Sequence, residues 1–283
     1  QPGTPSALTL DFHLTEGNGT VVLESSTAGI TGIDNEAGLV LQDISTATPK
    51  AVTGFTVDGD ELAFAAPLAA GLYQASWKGD TFTTATGHAP EGSLAFAGGR
   101  DGLFNQEGFA VAKVSAISAN ALRAATENLN EAFVAGGTAA VRIATGGGHD
   151  VVVDQGATVA IVVDTIDGAS ADLVLGFDSG SDTVALEARA ATAIDDNADG
   201  KIQWASAGAA IDAAAEAVSV TVTTAVTMGS TAAITQTLLA LNTALDFSKI
   251  ALNDEVLILA EDATGTGAAL FQYVNKDGNG KID

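Results

Sequence analysis

Thr145-Gly146-Gly147-Gly148-His149-Asp150-Val151-Val152-Val153 opens the stretch on which the reading of this chain turns, and ADLVLGFDSGSDTVAL (171–186) closes it. Glycines let a backbone turn tightly and aim its carbonyls inward. The aspartates beside them add hard oxygen ligands of the kind Ca²⁺ prefers. Between the two ends, the β-branched runs 151–153 and 159–163 favour strands. The stretch therefore reads as strands joined by Asp/Gly corners, with a parallel roll and antiparallel hairpins both open. Asp154, Asp164, Asp167, Asp172, Asp178 and Asp182 fall at or beside turns. That position suits a calcium ligand and equally an ordinary Asx turn.

The segment 145–153 resembles one nonapeptide of the RTX calcium-binding repeat, G-G-x-G-x-D-x-U-x, with Thr145 in place of the first glycine. Residues 172–186 resemble the segment that closes the β-rolls of type I secreted bacterial proteins. Asp172, Phe177, Asp178, Gly180, Asp182, Val184 and Leu186 stand in its aspartate, aromatic, turn and apolar places. One nonapeptide cannot bury its own apolar face. The resemblance therefore implies a degenerate or minimal RTX region, with Asp150, Asp172 and Asp182 as its Ca²⁺ ligands.

Two further places carry oxygen ligands at regular spacing. Asp195-Asp196-Asn197-Ala198-Asp199-Gly200-Lys201-Ile202 matches the first half of an EF-hand-type loop. Asp195, Asn197 and Asp199 would supply side-chain oxygens, Gly200 the sharp turn and Ile202 an inward anchor. The twelfth position is Ser206 and not Glu, so the usual bidentate ligand is absent or comes from elsewhere. The frame recurs at Asn275-Lys276-Asp277-Gly278-Asn279-Gly280-Lys281-Ile282, where Asn275, Asp277 and Asn279 take the ligand places. The phrase 271–277 is also similar to the C-terminal strand and loop of type I secreted RTX proteins. In that family an uncleaved secretion signal follows, so the native chain is expected to continue beyond Asp283. A piece upstream of Gln1 is expected too, since the chain does not begin with Met.

Before residue 145 the pattern is one of short strands and turns. Apolar alternation marks strands in 8–14, 19–25, 37–44, 52–58, 61–67 and 72–77, with turn residues between them. Such spacing predicts an antiparallel sandwich. The phrase 67–77 resembles the last hairpin of bacterial immunoglobulin-like modules, and Tyr73 and Trp77 alternate onto one face as core residues. Residues 81–105, rich in Gly, Ala and Thr, read as a linker with one or two short strands. Residues 118–133 read as a helix: Ser118 is an N-cap, Leu122, Ala125, Leu129 and Phe133 form its stripe, and Gly136-Gly137 ends it. Further on, 218–226 reads as a strand, 231–245 as a helix, and 254–259 with 268–274 as a hairpin. The expected fold is mainly β with a few helices. An immunoglobulin-like sandwich spans 1–85, a linker and helix 86–137, and an RTX-like calcium-binding region 138–283.

Composition narrows the function. The net charge is −24 with only 11 Lys and Arg, which argues against a nucleic-acid partner. Charge this one-sided repels itself in the compact state, and bound cations relieve it. The 283 residues contain no cysteine, so disulfides cannot staple the fold and metal ions become the candidates. No apolar run is long enough for a transmembrane helix. No nucleophile elbow or zinc-binding His helix is present, and His13, His88 and His149 lie far apart without ligand spacing. The sequence therefore points away from an enzyme. It points to a secreted, calcium-binding structural protein of the cell surface or extracellular matrix, an S-layer, adhesin or fibre subunit that self-associates into a lattice or polymer. The strand in 7–14 is the segment expected to add to a neighbouring subunit, and a cell-surface polysaccharide is a further candidate partner. Two alternatives stay open: the non-catalytic secretion part of an exoenzyme, and an extracellular ligand-binding module.

Overall fold

The computed structural model describes residues 10–14, 21–25, 30–58, 61–64, 71–84, 87–98, 109–125, 128–138, 140–163, 172–178, 180–186, 203–206, 210–211, 214–222, 231–263 and 268–282. They form two compact units, Gln1–Ile161 with Gly168–Thr183, and Val162–Asp167 with Val184–Asp283. The described chain is mainly β, as expected.

The first unit begins with β1 (Leu10–Leu14), β2 (Val21–Ser25), β3 (Ile30–Ile33), β4 (Leu39–Asp43), β5 (Lys50–Ala51), β6 (Phe55–Asp58), β7 (Glu61–Phe64) and β8 (Gly71–Trp77). There follow β9 (Phe82–Thr84), β10 (Gly87–His88), β11 (Gly92–Gly98) and β12 (Phe109–Val111). They make three antiparallel sheets, ordered β1-β2-β7-β6, β10-β9-β3 and β12-β11-β8-β4-β5. On one face of the five-stranded sheet, Tyr73 stacks on Phe96 at 5.6 Å beside Leu41 and Ala75. Trp77 meets Phe82 edge-on at 5.7 Å. Both aromatics are therefore core residues, as the alternation predicts. The linker reading of 81–105 fails at β11, which pairs along all seven residues with β8. Its small residues are a packing requirement: a Cβ on Gly92 would lie 2.6 Å from the Trp77 ring.

A parallel two-sheet roll follows. β13 (Lys113–Ile117), β15 (Glu131–Gly136), β17 (Val151–Gln155) and β19 (Leu173–Leu175) form one sheet in that order. β14 (Ala121–Ala124), β16 (Ala140–Ala144), β18 (Thr158–Val163) and β20 (Thr183–Leu186) form the other. Each coil adds one strand to each sheet, with Val114, Ala132, Val151 and Leu173 in register. The roll interior holds Ile117, Phe133, Ala135, Val141, Ile143, Val152, Val159 and Ile161. The opposite face of the first sheet is covered too. Ala132, Val151, Val153 and Leu173 pack on Leu72, Ala95, Ala97 and Val111 of the five-stranded sheet. A strand buried on both faces has no use for polar alternation, which is why 151–153 is three valines.

The roll corrects two expectations. Among the described residues it has four coils and is already under way at Lys113, well before the one clear nonapeptide. The helix expected over 118–133 is instead β14, a corner and the start of β15. Leu122 is 65% and Leu129 45% exposed, while Ala125 and Phe133 face the roll interior. A helical stripe would have buried all four.

The second unit contains a sheet ordered β21 (Trp204–Ser206), β22 (Ala217–Val222), β23 (Glu255–Asp262), β24 (Ala268–Val274). The first three strands run parallel and β24 closes an antiparallel hairpin. α1 (Thr231–Ala244) crosses between β22 and β23. Its Leu241, with Leu245 and Phe247 just after, packs on Val218, Val220, Val256, Ile258 and Tyr273. This helix and hairpin lie where the periodicity places them.

Candidate cation-binding corners and loops

The roll turns at two corners per coil, and Asp and Asn side chains hold both. At one corner, Asp172 Oδ1 accepts the Asp150 N–H at 3.0 Å, and Asp150 Oδ1 accepts the Glu131 N–H at 2.6 Å. Asn130 Oδ1 accepts the His149 N–H at 2.9 Å. Gly148 lies at φ +107°, and a Cβ there would be 2.5 Å from the Leu129 carbonyl oxygen. Stacked corners leave it no room for a side chain. At the opposite corner, Asp182 Oδ1 accepts the Val159 N–H and its Oδ2 the Asp178 N–H, both at 2.8 Å. Asn120 Oδ1 accepts the Ala140 N–H at 2.8 Å.

Asp150, Asp172 and Asp182 are thus engaged as pins, most of them tying one coil to the next. Asp150 and Asp182 are buried, and charge-assisted bonds to backbone N–H groups offset the desolvation of such carboxylates. Asn120, Asn130 and Glu131 belong to the same scheme and were missed in the sequence. Their signal is the coil register, which emerges only once the strands are paired.

Asp154 caps its own turn, its Oδ1 accepting the Gly156 and Ala157 N–H groups at 3.1 and 2.7 Å. Burial, followed by the charges of Asp182 and Asp178, pushes its carboxyl above the usual carboxylate range against those two bonds. In the three-stranded sheet, a hydrogen bond from His88 at 2.9 Å leads the causes that hold exposed Asp34 below that range.

The C-terminal loop of the second unit carries the second predicted ligand set, each member of which accepts a backbone N–H of the loop. Asn275 is buried. Its Nδ2 donates to the Ile250 carbonyl at 2.7 Å and its Oδ1 accepts the Gly278 N–H at 2.9 Å. Asp277 Oδ1 accepts the Asn279 N–H at 2.9 Å, and Asn279 Oδ1 accepts the Lys281 N–H at 2.7 Å. Gly280 lies at φ +71°, where a Cβ would meet Ser248 Cα at 2.9 Å. Ile282 packs on the core and is clamped by Asn242, whose Oδ1 accepts its N–H at 2.8 Å and whose Nδ2 donates to its carbonyl at 2.6 Å. The loop is fastened at both ends. Its donor set, two amide oxygens and one carboxylate, is all hard oxygen and fits calcium at low charge. Asp195, Asn197 and Asp199 lie outside the described residues. Among the described residues, no three His, Cys, Asp or Glu side chains gather at one point. No helix among them is long and apolar enough to cross a membrane.

No protein-family model, curated protein or solved structure matches this chain.

Proposed function

We propose that this chain is a calcium-stabilised structural module of a secreted surface or matrix protein, and that folded copies associate. The observation that carries the reading is the C-terminal loop. Three Asx side chains alternate along it, its glycine turn is required by Ser248, and both ends are tied into the core. Asn275, Asp277 and Asn279 would hold the ion, and Ca²⁺ would supply positive charge to a chain of net charge −24. Extracellular modules of this kind work in the affinity class of roughly 10⁻⁴–10⁻³ M.

Association is supported by strand edges. The outer edges of β13 and β14 have no strand partner among the described residues, and a parallel roll adds coils through such edges. Among the described residues β1 pairs only with β2, though it also contacts β12, and its other edge is the second candidate for β-augmentation.

Size-exclusion chromatography with light scattering tests the reading, run in EGTA and in millimolar calcium, with negative-stain microscopy of the calcium sample. Compaction followed by lattices or fibres is the expected result. Identical profiles in the two conditions would remove calcium from the reading. A compact calcium-bound monomer would remove association and leave an exoenzyme appendage or ligand-binding module. Deleting residues 1–14 without effect on assembly would exonerate β1 and leave the roll edges.

A further inference from the structure

β24 (Ala268–Val274) is an outer strand of the second unit's sheet, and its far edge has no strand partner among the described residues. The residue after it fixes which backbone groups face that edge. The Asn275 N–H donates to the Asp254 carbonyl at 3.0 Å, and the Asn275 carbonyl accepts the Asn253 N–H at 2.7 Å. Asn275 therefore turns its polar groups toward the β23 side. Direction alternates along a strand, and the register from Glu255 opposite Val274 to Glu261 opposite Ala268 runs without a bulge. The N–H and C=O groups of Val274, Gln272, Leu270 and Ala268 thus point away from β23.

A free edge is ordinarily blunted by shortness, a charge, a proline or a bulge. Most outer strands here are short: β5 and β10 have two residues, β12, β19 and β21 three, and β6, β14 and β20 four. Of the longer ones, β1 carries Asp11 and β13 carries Lys113. β24 has seven residues, AALFQYV, with no charge, proline or bulge. Leu270 is 41% exposed on one face of the strand, and Phe271 is half-buried against the core on the other. Apolar surface therefore stays open along this edge.

Charge selects the occupant. The chain carries −24, so two copies repel wherever acidic surfaces meet. An uncharged edge is where they can approach. Antiparallel pairing of β24 with itself about a twofold axis at Phe271 sets Ala268 opposite the partner's Val274, and Leu270 opposite the partner's Gln272. Every outward-pointing backbone group named above then has a mate. Phe271 meets the partner's Phe271 as a non-hydrogen-bonded pair, the closer kind, at a Cα separation of about 4.5 Å. Cross-strand aromatic pairs of this kind are favourable. Glu255 and the partner's Glu261, each one strand further in, lie three strand spacings apart, about 14 Å. That exceeds the screening length of about 8 Å at physiological ionic strength.

We propose that β24 is a self-pairing edge, at which two copies of this chain join antiparallel about a twofold axis at Phe271 and merge their four-stranded sheets. This rests on the association reading above and places a contact in the second unit, apart from β1 and the roll edges.

Sedimentation velocity of the full chain in millimolar calcium, over a concentration series, tests it. Wild type is expected to form a dimer as its first associated species. Leu270→Lys puts a charge on the edge at an exposed position, so the fold is kept and circular dichroism should not change. It should weaken dimerisation by about tenfold or more. Because it lowers the net negative charge, weaker association cannot come from added overall repulsion. Register is read by disulfide formation, since the chain has no other cysteine. Phe271→Cys should cross-link readily to its own copy. Leu270→Cys, more exposed but offset from its own copy, should cross-link far more slowly. Should Phe271→Cys not fold, the double variant Leu270→Cys with Gln272→Cys brings unlike positions together across the axis and should cross-link where each single variant does not. Dimers of wild-type strength in Leu270→Lys, or equal cross-linking at 270 and 271, overturn the inference and leave association through the roll edges or β1. A wild type that stays monomeric throughout overturns both readings.

Discussion

Gly148 shows how much one residue decides in a stacked corner. Its φ is +107°, and a Cβ would sit 2.5 Å from the Leu129 carbonyl oxygen. Gly137, at the opposite corner, also has a positive φ, +74°, but nothing lies within 4 Å of its absent side chain. Gly148→Ala should therefore cost clearly more than the ~1 kcal/mol of left-handed strain that Gly137→Ala carries alone, as read by urea unfolding. Equal losses would show that the corner relaxes. Two aspartates give opposite pH signatures. Asp246 is held below the usual carboxylate range chiefly by the Ser248 backbone N–H at 2.9 Å. Its contribution is fully present above about pH 4 and falls away as pH drops through the depressed folded value. Asp154 is raised by burial, so its ionisation opposes folding above the raised value, and that opposition vanishes on acidification below about pH 4. Asp154→Asn should then raise Tm at pH 7 and match wild type in acid. Asp246→Asn should lower Tm at pH 7 by a small amount that also closes in acid. Melting scans from pH 7 to 3 read both. At this scale the sequence is legible where chemistry is local. Gly146 and Gly148 are turn glycines with positive φ, and Asp150 and Asp182 are corner residues. Their service as pins needed partners about twenty residues away, and no local pattern carries that.

β14 and β15 show where periodicity misleads. Leu122, Ala125, Leu129 and Phe133 are spaced three to four apart, and that spacing normally marks a helix. Coils of a roll also place apolar residues at short intervals, because a corner interrupts the two-residue alternation and shifts its phase. Only the parallel partners, Val114 to Ala132 and Ala132 to Val151, separate the two cases. Burial gives the test. Phe133→Ala, inside the roll, should cost about 3–5 kcal/mol. Leu122→Ser, on the outer face, should stay within about 0.5 kcal/mol. A helix would make both costly, so comparable losses in chemical denaturation would contradict the roll. β23, β24 and α1 were legible for the converse reason. Gly/Thr-rich sequence separates the two strands, and the helix is long enough for Leu238, Leu241 and Leu245 to keep one phase.

The whole molecule combines a one-sided charge with Asx loops, and both could be read from composition and motif. The extent of the roll could not. Its first two coils carry Asn120, Asn130 and Glu131 at their corners where a regular repeat would place glycines and aspartates. What remains is whether cations act on this molecule by screening or by binding. Screening would stabilise both units through the −24 charge and would depend on ionic strength alone. Binding at the C-terminal loop would act on the second unit, where Asn275, Asp277 and Asn279 lie. A site with Kd of about 10⁻⁴ M at about 10 mM Ca²⁺ adds ~2.7 kcal/mol. That corresponds to a rise in Tm of roughly 10–20 °C for a unit of about 100 residues. Sodium chloride at matched ionic strength should give much less. Hydrogen exchange locates the effect: calcium should slow amides of β22–β24 and the loop clamped by Asn242, and leave β8 and β11 unchanged. Equal shifts in sodium and calcium, spread over both units, would mean that the acidic surface is only screened and that the Asx loops are turns.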